Sequence, residues 1–255
     1  MIIIKNKASI EKMHNAGKIL SGIFEQLPSV ILVGTSTSAI DSWIEKELLK
    51  NGLVSKMKGY MGYKHVSCIS LNDEVVHGVP ADSKIIKKGD LVKIDVCASL
   101  KGYCADMARC FFVGETSQEI KKLVEVAQNA LNAGISKAYA GNRLTDISAA
   151  IQAEIDKHGF GILKDFAGHG IGKSMHEDPE ILNYGEAGKG PILQVGMAFA
   201  IEPMITLGND DVYITQDGWT VKTKDKSFAA HVEDTIAITN EGPIVLTRYN
   251  QKEQV

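Results

Sequence analysis

Apolar residues recur at helical spacing in four stretches of the chain. In "GTSTSAIDSWIEKELLKNG" (34–52), Ile40, Ile44 and Leu48 stand four apart, and Lys50 and Gly52 close the run. That spacing, ending in a glycine stop, predicts an amphipathic helix. "GNRLTDISAAIQAEIDKHG" (141–159) repeats the design with Ile147, Ile151 and Ile155 before Lys157 and Gly159. Each is preceded by another helical pattern, "SIEKMHNAGKILSGIFEQL" and "SQEIKKLVEVAQNALNAGISKAY", the second opened by a capping box of Thr116 and Glu119. Between them lie apolar runs of strand length, "GDLVKIDV", "DMARCFFV", "MAFAI" and "TIAIT".

The two sets are copies of one design. At an offset of 107, Gly34 falls on Gly141, Ile40 on Ile147, Glu47 on Glu154 and Gly52 on Gly159. The offset persists into the strands, where Gly89 falls on Gly196 and Asp95 on Glu202. A period this long excludes a solenoid. It predicts a single domain over 1–255, built of two halves (about 1–115 and 116–250), each running helix, helix, strands. Elements in that order indicate an α+β fold with a pseudo-twofold axis, which would bring corresponding acids together at the centre.

Those acids carry the candidate chemistry. "IDVCASLKGYCADM" reads as a hairpin turning near Leu100-Lys101-Gly102, which pairs Cys97 with Cys104 and Asp95 with Asp106. Opposed carboxylates repel, and burying them unpaired on apolar strands is costly. A bound cation removes both problems. Glu202 and Glu233 repeat the arrangement 31 residues apart, against 11 for Asp95 and Asp106, so the second hairpin carries about 20 extra residues, including "DGWTVKTKD". Four acids supply a charge of −4, which two divalent ions would neutralise. With one imidazole the set becomes five mostly oxygen ligands, suited to manganese, iron(II), cobalt, nickel or zinc, with room for an activated water. A metal-free acid and base pair of the glycosidase kind would not need four carboxylates.

"FAGHGIGKSMHEDPEI" (166–181) admits two readings. Gly172-Lys173-Ser174 resembles the end of a phosphate-binding loop, but Ala167 replaces its first glycine and Pro179 would interrupt the helix that must follow. Alternatively His169, flanked by Gly168 and Gly170, is a metal ligand in a crowded site, with His176 a hydrogen-bond donor beside it. Composition narrows the setting. A net charge of −3 gives no reason to expect nucleic acid or anionic membrane as a partner. The apolar start is too short for a signal peptide, and no run approaches a membrane span. Four cysteines without a C-x-x-C pair suggest reduced thiols in the cytoplasm.

"HGIGKSMHEDP" together with Asp95, Asp106, Glu202 and Glu233 resembles the methionine aminopeptidases. "NDEVVHGVP", "GDLVKIDV", "AGHGIG", "MAFAIEPM" and "DGWTVKTKD" extend the resemblance to the type I members over nearly the whole chain; its length matches a type I enzyme without amino-terminal extension. The resemblance implies a pita-bread α/β fold around a curved, mainly antiparallel sheet. It implies a dinuclear site with Asp95, Asp106, His169, Glu202 and Glu233 as ligands, Asp95 and Glu233 bridging. An activated water would attack the carbonyl after the initiator methionine, with Glu202 shuttling its proton. His77 and His176 would hydrogen-bond the substrate amide or the tetrahedral oxyanion. Tyr60, Tyr63, Cys68 and Trp219 match pocket positions, as do Met57 and Met175, which replace a common cysteine and phenylalanine; Met61 stands where a relative carries histidine. The implied partners are nascent amino termini with a small second residue, near the ribosome, and the implied state is a monomer. Two other functions share the fold: an Xaa-Pro peptidase with the same five ligands, and a non-catalytic binding protein, which would typically lose ligands that this chain keeps.

Overall fold

The computed structural model describes residues 1–248. Its four long helices fall where the 3.6-residue periodicity predicts: α1 Lys7–Phe24, α2 Thr37–Lys50, α3 Gln118–Ile135 and α4 Leu144–Asp156. Side chains of Asn6 and Ser36 accept from the N–H groups of Ser9 and Ala39 to cap α1 and α2. For α3 the cap is Ser117, not Thr116. Ser117 has the extended backbone a cap needs, and its hydroxyl accepts from Ile120 N, whereas Thr116 Oγ1 is buried without a partner. The strands of the first half are β1 Val54–Ser55, β2 Cys68–Leu71, β3 Glu74–Val76, β4 Leu91–Leu100 and β5 Tyr103–Phe112. Those of the second are β6 Gly161–Ile162, β7 Gly168–Gly170, β8 Glu177–Ile181, β9 Ala198–Ile201, β10 Met204–Thr206, β11 Val212–Ile214, β12 Val221–Thr223, β13 Ala229–His231, β14 Glu233–Thr239 and β15 Gly242–Val245.

Nine strands form the central sheet in the order β1-β4-β5-β14-β9-β7-β8, with β2 beside β4 and β15 beside β14. Its pairings are antiparallel throughout the described residues. Side chains alternate between the two faces of a strand. Val92, Ile94, Val96 and Ala98 of β4, with Ala105 and Met107 of β5, pack into one core with α1 and α2. Phe199 and Ile201 of β9, with Ile236 and Ile238 of β14, pack into the core of α3 and α4. The helices therefore cover one face, and strand parity turns Asp95, Asp106, Glu202 and Glu233 together onto the other.

Equivalent features recur 107 residues apart. The isolated bridge Ser36–Ile85 has its counterpart in Arg143–Ile192. Gly34 N donates to Ile86 O and Gly141 N to Leu193 O, both at 2.9 Å. Gly89 and Gly196 adopt φ of 91° and 90°, a backbone that favours glycine. Asp95 lies inside β4 rather than at its end, and Glu202 lies one residue beyond β9.

The hairpin differs from expectation in register. Leu100 faces Tyr103 across a two-residue turn, so Cys97 lies opposite Asp106, Asp95 opposite Ala108, and Cys104 opposite Ser99. Lys101 and Gly102 take φ of 50° and 81°, as a primed hairpin turn requires. A turn one residue earlier would force the left-handed backbone on Leu100. The shift is two residues, so both aspartates keep the same face but become diagonal neighbours rather than opposed. Cys97 and Cys104 are not directly paired, and all four cysteines are free thiols. Among the described residues no helix is long and apolar enough to cross a membrane.

Candidate active site

Asp95 and Asp106 reach the concave face from β4 and β5, Glu233 from the start of β14, Glu202 from just past β9, and His169 from the middle of β7. β7 is wedged between β8 and β9, and the flanking glycines make that possible. A Cβ on Gly168 would collide with Ala200 O, and one on Gly170 with Asp178 O. His169 Nδ1–H donates to Gly170 O at 2.9 Å, which leaves the Nε2 lone pair facing inward. Nε2 stands 3.8 Å from Asp106 Oδ2 and 3.7 Å from Glu202 Oε1. Those gaps exceed a hydrogen bond but suit ligands that share an ion. Donor atoms of Asp106, His169 and Glu233 lie within 4.8 Å of one another, as do those of Glu202, His231 and Glu233. Asp95 lines the same cavity but belongs to neither group.

The electrostatics are those of a site that lacks positive charge. Burial, then repulsion by Asp106, raises Asp95 well above the usual carboxylate range. Burial, then Asp106 and Glu202, does the same to Glu233. Asp106 is pushed to about 7 by burial and Glu202, and Glu202 to about 8 by burial. Asp106 Oδ1 and Glu233 Oε1 are buried with no hydrogen-bond partner. Orphaned acceptors among crowded carboxylates fit divalent cations, which would complete their coordination and favour the ionised forms.

The remaining predicted residues converge on one cavity of about 120 Å³. Met57, Tyr60, Tyr63, Cys68, Met175, Trp219, His77 and His176 line it along with the five candidate ligands and Cys97. Tyr63 and Trp219 meet edge to face at 5.0 Å, and the Tyr63 hydroxyl donates to Ser67 O at 2.8 Å. His176 Nδ1 lies 3.0 Å from the Tyr60 hydroxyl, and its ring centroid lies 4.4 Å from that of His169. His77 holds a left-handed backbone, φ 57°, and packs edge-on against Phe166. Burial lowers both histidines below the usual imidazole range, His77 to about 4, so they are neutral donors near pH 7. His169 is also held at about 4 by burial and then His176. Met61, by contrast, is 80% exposed and lies outside the cavity lining.

The phosphate-loop reading of "GIGKS" fails in the structure. No helix follows; β8 begins at Glu177, and Glu177 Oε1 accepts the N–H groups of Lys173 and Ser174 at 2.9 and 3.3 Å. A carboxylate thus occupies the place a phosphate would need. Glu177 Oε2 is ion-paired with Lys5 at 2.8 Å, both side chains nearly buried, which ties the amino-terminal segment to the loop that carries His176. Sequence reasoning missed this brace, because residues 172 apart leave no local signal. It also missed Asp217, whose carboxylate accepts from Trp219 N, Thr220 N and the hydroxyls of Thr215 and Thr220. Burial opposes ionisation there, yet the hydrogen bonds win and hold Asp217 at about 2. His231, on β13, was a third omission. Its Nε2 lies 3.2 Å from Glu202 Oε2, while burial lowers its pKa to about 4.

Residues 11–240 match the model of metallopeptidase family M24. A methionine aminopeptidase of Clostridium acetobutylicum is 44% identical over 247 residues, covering 97% of this chain and 99% of the relative. The crystal structure of a methionine aminopeptidase from Thermotoga maritima superposes with a TM-score of 0.95 at 41% identity, covering 97% of this chain and all of that one. The prolidase of Pyrococcus furiosus superposes at 0.78 with 26% identity, and the chain spans 66% of its length. The pita-bread fold is common to both, whereas the agreement in sequence, length and fold is with the first kind: the chain belongs to the methionine aminopeptidases of metallopeptidase family M24.

Proposed function

We propose that this metal-dependent aminopeptidase removes the initiator methionine from nascent chains whose second residue is small, acting as a cytoplasmic monomer near the ribosome. The observation that carries this reading is a small thioether- and aromatic-lined cavity ending at four crowded carboxylates, Asp106 and Glu233 buried and Asp95 and Glu202 half-buried, and one imidazole. The thioether and aromatic part of this lining suits an unbranched apolar side chain such as that of methionine. Met57 and Met175 are flexible enough to pack against it, and the faces of Tyr63 and Trp219 favour contact with sulfur.

In this reading Asp95, Asp106, His169, Glu202 and Glu233 hold two divalent ions of the manganese-to-zinc series. Such ions supply Lewis acidity and a lowered pKa for water. The free α-amine of the substrate would meet this same site, which confines cleavage to the terminal residue. Glu202 takes the proton of the attacking water and passes it to the leaving amine. The Tyr60 hydroxyl lies 3.0 Å from His176 Nδ1, and in the tautomer protonated at Nε2 it donates to Nδ1 and leaves the Nε2–H free for the substrate. His77 and His176, both neutral, stabilise the developing oxyanion without repelling the cations.

The deciding experiment is hydrolysis of Met-Ala-Ser by the metal-supplemented enzyme, with the released residue identified, beside a Met-Pro dipeptide. Release of free methionine from the tripeptide is expected. Cleavage of Met-Pro alone would instead identify an Xaa-Pro peptidase, and a metal-loaded protein inert on both would point to the binding-protein alternative.

A further inference from the structure

Glu202 gives its two oxygens different surroundings. Oε1 faces His169 Nε2 at 3.7 Å, and Oε2 meets His231 Nε2 at 3.2 Å. His231 is buried and does not line the cavity; it stands behind Glu202. Its strand is clamped from several sides. His231 pairs with Met204 in β10, and Cys110 Sγ donates to His231 O at 3.4 Å. The buried Lys93 Nζ donates to Ala229 O at 3.1 Å and to Asn72 O at 2.8 Å, fixing β13 to the loop before β3. The backbone that carries the imidazole is therefore fixed, and the ring itself is buried. Once cations hold Glu202 in its ionised form the carboxylate can only accept, so the ring proton facing it would then sit on Nε2.

We propose that His231 is a positioning residue: its Nε2–H holds Oε2 of Glu202 so that Oε1 is presented to the reaction centre beside His169. This rests on the reading of Glu202 as a metal-facing proton carrier. The rival role, a sixth ligand, is suggested by the grouping of His231 with Glu202 and Glu233, but its place outside the cavity lining argues against it. Partners that hold a ligand from behind typically change metal affinity or activity about 10- to 100-fold when removed.

The test compares His231→Leu, His231→Gln and His231→Asn in the full chain, with Glu202→Gln alongside. The readouts are kcat and KM on Met-Ala-Ser, and Mn(II) affinity and stoichiometry by calorimetry. Leu removes the donor and Asn is too short to reach, so both should lower kcat and metal affinity about 10- to 100-fold with KM within about twofold and stoichiometry unchanged. Gln keeps an N–H within reach and should stay within about threefold of the parent. If Leu fails to fold, Asn against Gln makes the same comparison. Parental kcat and affinity in the Leu or Asn variant would overturn the proposal, as would a Gln variant as impaired as they are. Loss of one metal equivalent would make His231 a ligand and overturn it too. Full activity of Glu202→Gln would instead bring down the reading of the site, and this proposal with it; an impaired Glu202→Gln beside an unaffected His231→Leu condemns the proposal alone.

Discussion

In the first half, Asp95 and Asp106 ride on two ten-residue strands joined by a two-residue turn; in the second, thirty residues separate Glu202 from Glu233. Both halves turn their acids onto the same face of one sheet. The tight hairpin brings little to the site besides these two candidate ligands and Cys97. The long excursion of the second half carries β10 to β13, the Asp217 turn that sets Trp219, and His231 behind Glu202. One copy of the unit thus supplies two of the candidate ligands from a rigid hairpin. The other, extended at a loop where insertion costs little, adds Trp219 to a cavity wall that also takes Met57, Tyr60, Tyr63 and Cys68 from the first half, and sets His231 against Glu202.

The hairpin side is broken most directly by Asp106→Ala, the largest expected effect: loss of bound metal and a fall in turnover of at least about a thousandfold, as several kcal/mol of charge stabilisation disappear. Elemental analysis alongside kinetics checks it, and unchanged stoichiometry with unchanged activity would refute the role of the hairpin. His77→Ala removes a donor rather than a ligand. Turnover should fall about 100- to 1,000-fold while both metals stay bound. Metal content that fell in parallel would make His77 a ligand.

The two halves meet electrostatically in the metal-free protein. Folding raises the carboxyls of Asp106 and Glu202 to about 7 and about 8, so the folded state holds protons that the unfolded chain has released. Their stabilising contribution is present at low pH and is lost as pH rises through those values. His77, His169 and His231, lowered to about 4, act mainly below the ordinary imidazole pKa of about 6.5, and Lys93, lowered to about 8, acts above that value. Between pH 6.5 and 8 the metal-free Tm should therefore fall by several degrees, and added Mn(II) should restore most at the upper end. A flat or rising Tm over that window contradicts the crowding of the acids. The smallest effect concerns the excursion alone. Asp217→Ala frees the turn before Trp219 and should raise KM for Met-Ala-Ser about threefold to tenfold, with kcat nearly unchanged, as hydrogen bonds of about 1 kcal/mol are lost. A kcat effect instead would tie that turn to the chemistry rather than the pocket.

Much of this was legible in residue order. The four helices follow from apolar residues at every fourth position, and Asp95 and Glu202 announced themselves by falling on one another at the offset that aligns Gly89 with Gly196. Parity along β4, β5, β9 and β14 then sufficed to put the acids on one face, which is why a register wrong by two residues did not misplace them. Other features had no local trace. The partners Lys5 and Glu177, and His231 and Glu202, are joined across 172 and 29 residues, and each sits in a stretch that reads as an ordinary loop or strand. The turn at Lys101-Gly102 hinged on which residue would accept a left-handed backbone, a difference of about one residue in a pattern that tolerates either.

By itself the sequence determined the periodic elements, the duplication and the chemical identity of the acids and histidines, because these depend on spacing and side-chain type along the chain. Only the tertiary structure decided which oxygen of Glu202 faces His169 and which faces His231, and that Glu177 rather than a phosphate fills the turn after His169. Those choices belong to contacts between strands far apart in the chain, where burial makes every unpaired donor and acceptor costly and so selects one arrangement.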